Sequence, residues 1–251
     1  MEGVVEKEYR FALVDFEAAE KWSDNLEVWK EALKLTDHPW KRYKAWNGEF
    51  PDEDELDAIQ GVVIPGGAVS ANDGWAEGQA FVKRLIERGK PQLYAGCFGS
   101  QLVAVSLGGI VGSNPAKKFC LQSEKISLLP GWYKHPVLAC IGSGPNRPLE
   151  HFKVRLLQSH GECVTQLPSD ATLVASSKTT ATEAWYVGSN VLCMQAHPEW
   201  TPELLVERVL PALVRKGRIN ESEAQHTHCS VSKLLDSEII CDLIRQFLCF
   251  K

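Results

Sequence analysis

A chain of 251 residues with 44% hydrophobic side chains is long enough to bury one sizeable core. Its net charge of −5 excludes a general nucleic-acid binder, whose phosphate contacts need clustered Lys and Arg. No apolar run approaches the roughly 20 residues of a membrane-spanning helix, and the charged stretch Met1–Arg10 lacks the apolar centre of a signal peptide. The expectation is a soluble, cytoplasmic protein that engages neither nucleic acid nor membrane.

In chain order, Phe11–Phe16 and Gly61–Pro65 read as short apolar strands, with a partly helical pattern over Phe16–Leu35 between them. Asn47–Asp57 is polar and acidic, so it reads as a loop, and its run Asp52-Glu53-Asp54-Glu55 as a solvated one. Ala80–Glu87 is an amphipathic helix stopped by Gly89; Pro91–Gly96 is the next strand and runs straight into Cys97; Phe98–Leu107 is helical and ends at Gly108-Gly109. Strands alternating with helices in this half predict a mostly parallel sheet with helices on both faces. The second half is richer in β signals: Leu121–Leu129, Lys153–Leu157, Ala171–Ala175, Glu183–Val187 and Val191–Gln195, the last two joined by a turn at Gly188-Ser189-Asn190. Thr201-Pro202-Glu203 opens a helix that runs to about Lys216 and stops at Gly217. Gly217–Ser230 is polar and reads as a linker. Ser232–Phe250 returns to helical period, with Leu235, Ile239, Leu243 and Phe247 as the docking stripe.

The eight cysteines form no CxxC pair and no tight framework, so disulfides and a structural zinc site have little support, and most read as small buried hydrophobes. Cys97 differs. It stands at an abrupt strand-to-helix junction among Ala95, Gly96 and Gly99, which suits a nucleophile elbow at a helix N-terminus, where free N–H groups favour a thiolate. Alone it reads as well as a buried structural cysteine. His197 follows the strand ending at Gln195, and Glu199 lies two residues on, placed to fix the imidazole tautomer. Together Cys97, His197 and Glu199 supply nucleophile, base and orienter. His226-Thr227-His228-Cys229 could bind a metal but lies in the polar linker, and no metal or other cofactor is expected. Trp22, Trp29, Trp40 and Trp46 fit either a substrate pocket or helix packing.

Four segments in order resemble class I glutamine amidotransferases. Gly96-Cys97-Phe98-Gly99-Ser100-Gln101, preceded by Ala95, is similar to the G-x-C-x-G-x-Q elbow, and Gln195-Ala196-His197-Pro198-Glu199 to Q-x-H-P-E. Ile64–Ser70 resembles the S-G-G-P-x-S oxyanion loop, and Ser159–Val164 resembles S-H-G-D-x-V. The resemblance implies a flavodoxin-like α/β domain over residues 8–217, with 218–251 as linker and docked C-terminal helix. It implies that Cys97 attacks a side-chain amide to give a γ-glutamyl thioester, that His197 protonates the leaving amine and then activates water, and that the N–H groups of Gly67 and Phe98 form the oxyanion hole. Gly66, Gln101, Ser159, His160 and Gly161 match positions around the glutamyl group. The sequence departs from the pattern at Ala68, Ala95, Ser100 and Glu162, which bears on the substrate. The expected function is a cysteine hydrolase of γ-glutamyl amides, acting on γ-glutamyl peptides. The alternatives are a glutaminase subunit feeding ammonia to a partner synthase and a silent binding module.

Overall fold

The computed structural model describes residues 10–141 and 152–250; Met1–Tyr9, with the expected domain start at residue 8, lie outside them, as does the Cys140 side chain. The first half builds β1 (Phe11–Asp15), α1 (Asn25–Ala32), β2 (Trp40–Lys44), α2 (Glu53–Ala58), β3 (Gly61–Ile64), α3 (Ala76–Arg88), β4 (Gln92–Gly96) and α4 (Phe98–Ser106). There follow β5 (Ile110–Ser113), β6 (Cys120–Leu128), α5 (Pro136–Ile141), β7 (Lys153–His160), β8 (Glu162–Gln166), β9 (Ala171–Ser177), β10 (Ala184–Val187) and β11 (Val191–Met194). The chain closes with α6 (Pro202–Leu204), a π-turn over Leu205–Val209, α7 (Leu210–Arg215), α8 (Glu221–Val231) and α9 (Ser237–Leu248).

Nine strands form one sheet in the order β2-β1-β3-β4-β11-β10-β9-β6-β7. The first five run parallel and the rest antiparallel, while β5 and β8 pair separately. The expected flavodoxin-like, mostly parallel sheet is therefore present at the end that carries Cys97. Alternation divides each central strand between two cores. Phe11, Leu13, Val63, Tyr94 and Leu192 face Trp29 of α1 and Ile244 and Phe247 of α9; Ala12, Val14, Val62, Leu93 and Cys193 face Phe81 and Leu85 of α3 and Leu102 of α4. The chain leaves β1 toward β2 and returns across it to β3, so the carboxyl ends of β1 and β3 part to open the crevice where such sheets hold ligands.

Three sequence expectations change. The acidic run is not a loop: Asp52 caps α2, its side chain accepting from the Glu55 N–H while Glu55 accepts from the Asp52 N–H. Gly217–Ser230 is not a linker either. Asn220 and Glu223 make the same reciprocal cap on α8, which lies along β6 with Thr227 Oγ1 donating to the Leu121 carbonyl and Ser230 accepting from the Ser123 N–H. In α9 the docked face is Ile240, Cys241, Leu243, Ile244, Phe247 and Leu248, while Ile239 is 43% exposed. Adjacent apolar pairs let two stripes fit the helical period, and the helix docks on the second. Among the described residues no helix is long and apolar enough to cross a membrane.

Candidate active site

The loop-helix junction after β4 holds Cys97 at φ 45° and ψ −106°, a conformation that side-chain-bearing residues rarely adopt. The surroundings over-determine it. The Cys97 N–H donates to the Met194 carbonyl of β11 at 2.8 Å, and the Gly99 N–H donates to the Pro65 carbonyl at 3.2 Å. A Cβ on Gly99 would lie 2.3 Å from the Ile64 carbonyl oxygen, so this position must be glycine. A Cβ on Gly96 would meet only ordinary contacts; of the small residues around the elbow, Gly99 is the one that sterics demand.

β11 lies beside β4 in parallel register, Met194 opposite Gly96, so the chain beyond β11 arrives next to the elbow. The His197 N–H donates to the Leu157 carbonyl of β7 (2.9 Å), and its Nδ1 meets Glu199 Oε1 at 2.8 Å. The residue is 2% exposed, and among the described residues Nε2 meets no hydrogen-bond partner. Burial disfavours the imidazolium, but the Glu199 carboxylate and then Cys97 outweigh it and hold His197 well above its ordinary range. The Nδ1 proton therefore belongs on the Glu199 side, which leaves Nε2 as the ring nitrogen on the Cys97 side.

Gly66 lies against both groups: a Cβ there would be 2.7 Å from His197 Cε1 and 3.2 Å from Cys97 Cβ. The N–H groups of Gly67 and Phe98 donate to no acceptor among the described residues, as an oxyanion hole requires. The loop that carries Gly67 is pinned by a residue no sequence motif marked. Glu17, just past β1, accepts from the Ala68 N–H at 2.8 Å through Oε2 and from the Ala19 N–H at 2.8 Å through Oε1. Its own N–H donates to Asp15.

The expected substrate residues separate into two sets. The Ser159 carbonyl lies 3.9 Å from Cys97 Sγ, so the end of β7 reaches the thiol. Both donors of Gln101 are used internally, on the Glu162 carbonyl (3.0 Å) and on Gln195 Oε1 (3.1 Å). Gln195 then donates from Nε2 to Cys97 Sγ at 3.3 Å. Gln101 thus reaches the sulfur through Gln195, with both its amide protons committed within the protein. His160 is buried and held neutral, its ionisation pushed down to about 4 by desolvation and by nearby His197. Its Nε2 meets Thr180 Oγ1 at 3.4 Å, and Gly161 turns the chain into β8, its carbonyl accepting from the Asn114 N–H.

The tryptophans do not form one pocket. Trp29 and Trp40 are core, while Trp22 stacks on Trp200. Trp46 joins Phe16, Phe50 and Trp75 around a separate surface cleft of about 250 Å³. Among the described residues no cluster of His, Cys, Asp and Glu could hold a metal, and His226 instead meets Gln122 Oε1.

Comparison with known proteins places the fold and the family. Residues 41–214 match the family model for glutamine amidotransferase class-I. "Gamma-glutamyl peptidase 3" of Arabidopsis thaliana is 27% identical, over 82% of this chain and 83% of that protein. "Gamma-glutamyl peptidase 4" of the same plant is also 27% identical, over 77% and 74%. A glutamine-hydrolysing GMP synthase of Marinobacter nauticus is 30% identical over 64% of this chain but only 30% of its own length. A glutamine amidotransferase of Thermotoga maritima superposes with TM-score 0.67 at 15% identity, covering 96% of this chain and 98% of the other, and so shares the fold. The chain belongs to the class I glutamine amidotransferase family.

Proposed function

We propose that this protein hydrolyses the γ-glutamyl amide bond of γ-glutamyl peptides. The observation that carries the reading is the buried Cys97–His197–Glu199 array, with Gly66 against both nucleophile and base and two free N–H groups beside them. Cys97 passes its proton to His197 Nε2 and Sγ attacks the amide carbon, while the oxygen takes up charge between the Gly67 and Phe98 N–H groups. His197 Nε2 gives its proton to the leaving amine, the C–N bond breaks, and the γ-glutamyl thioester remains. His197 then takes a proton from water, whose oxygen attacks the thioester; glutamate leaves and the thiol regains its proton. Glu199 keeps the imidazole aligned throughout. Ser159, His160 and Gly161 shape the side that receives the glutamyl group.

The peptide substrate is favoured by the relatives: the matches to γ-glutamyl peptidases cover most of those proteins, while the GMP synthase match covers under a third of that protein. The test compares kcat/KM for glutathione and glutamine, following free glutamate and ammonia. Glutathione should win; a preference for glutamine of about tenfold, or activity that needs an ammonia-accepting partner, would overturn the peptide assignment. Cys97→Ser and His197→Ala should each abolish turnover, while Glu199→Ala should retain a residue of it.

A further inference from the structure

The imidazole of His197 has a neighbour that the chemistry above does not use. The Trp200 ring lies face to face on it, centroids 3.6 Å apart and planes within 9°. On the far face of Trp200 lies Trp22, at 5.4 Å and 11°. Beyond Trp22 stand Lys21 Nζ, 5.6 Å from its centroid, and the Arg208 guanidinium, at 5.2 Å. Both indoles are nearly buried, at 9% and 7% exposure. Trp22 comes from the segment after β1 that also carries Glu17, and Trp200 follows directly on His197-Pro198-Glu199.

A hydrogen bond from Nδ1 to Glu199 fixes one point of the ring but leaves it free to rock about that axis. A parallel ring at van der Waals distance removes the rocking. The indole face is also the negative end of a quadrupole, so it attracts a cation more than a neutral ring, most strongly where water is excluded. We propose that Trp200 is a positioning residue for His197, held in place by Trp22, and that the stack favours the imidazolium and with it the charge-separated pair with Cys97. The proposal rests on the reading of Cys97 and His197 as nucleophile and base. The titratable groups facing the imidazole are Glu199 beside it, Cys97 across from it and His160 on β7. Tyr94 and Cys241 lie near Glu199, and Lys21 and Arg208 stand two rings away, Arg208 paired with Asp24.

The test measures the rate of Cys97 carboxymethylation by iodoacetamide against pH, mapping the Cys97 peptide by mass so that exposed Cys229 does not interfere. Trp200→Leu should move the thiolate inflection upward by about one pH unit, because the pair loses its stacked face. Trp200→Phe, which keeps a smaller ring, should restore part of the shift, and Trp22→Leu should produce a smaller one. A role in packing alone would lower the melting temperature and leave the inflection where it was. If His197→Ala removes the reactive thiolate but folded Trp200→Leu and Trp200→Phe titrate like the wild type, the stacking proposal fails and the nucleophile–base pair stands. If His197→Ala leaves the profile unchanged, the pair itself is wrong, and the proposal falls with it.

Discussion

At Gly66 one added methyl group would press on both His197 and Cys97, so Gly66→Ala should leave the protein folded and cut turnover by at least about a hundredfold. Circular dichroism and a glutamate-release assay on the same sample check both halves of that statement. Glu17 offers a subtler case. Its two oxygens each accept one backbone N–H, and a glutamine has one oxygen to share between them. Glu17→Gln should therefore loosen the Ala68 peptide beside Gly67, lowering kcat by about tenfold to a hundredfold while Cys97 alkylates as before. An unchanged kcat would show that the loop needs no such anchor. The proposed triad was legible in the sequence because each member sits in a short local pattern: an elbow among small residues, and a histidine and carboxylate two apart at a strand end. Glu17, Gln195 and Trp200 act through partners 51, 98 and 3 residues away, and for the first two no local pattern records the pairing.

The elements that sequence periodicity missed share a cause. β2, with the sequence Trp-Lys-Arg-Tyr-Lys, is an edge strand whose charged residues hide its alternation, Trp40 and Tyr43 turning inward. α2 and α8 are short and polar and owe their definition to capping boxes; the Asp52/Glu55 and Asn220/Glu223 spacings were the available signal. α9 was visible as a helix, and the structure adds what it does. Phe247 is fully buried, Gln60 donates to the Cys249 carbonyl at 2.9 Å, and the Cys241 thiol donates to the Pro198 carbonyl at 3.3 Å, between His197 and Glu199. Phe247→Ala should cost about 4 kcal/mol and lower Tm by roughly 10 °C. Calorimetry on the purified variant decides it; a shift of only a degree or two would mean the helix is peripheral.

For the molecule as a whole, two buried groups tilt stability with pH in opposite senses. Burial pushes Glu183 up to about 7 from an ordinary 4.5, despite hydrogen bonds from Gln158 and Ser177. The fold therefore prefers its protonated form, and that contribution is complete below pH 4.5 and lost as pH rises through 7. His160, held down to about 4 from 6.5, contributes stability that is complete above 6.5 and lost as pH falls through 4. Between these limits the two slopes offset. Glu183→Gln removes one of them: it should stabilise the protein at pH 8, by up to roughly 3 kcal/mol, and expose the acid-side slope of His160. Urea melts at pH 5, 6.5 and 8 test this, and a variant whose pH dependence parallels the wild type would refute it. The whole architecture was legible at its parallel end, where strands and helices alternate, and less so beyond β11, where antiparallel pairing joins segments distant in the chain.

The pairing of β4 with β11 also acts as a ruler. Cys97 stands one residue past Gly96, and His197 three past its partner Met194, so the gap between them is counted out from a single shared register. Each step along a strand is about 3.3 Å and reverses the side chain's face. One codon inserted within Val191–Met194 would therefore carry the imidazole out of reach, whereas the same insertion between the exposed Gly188 and Ser189 would lengthen a surface turn and leave the count intact. Over the paired strands β4 and β11 the reading frame of the sheet is therefore also the spacing of the chemistry.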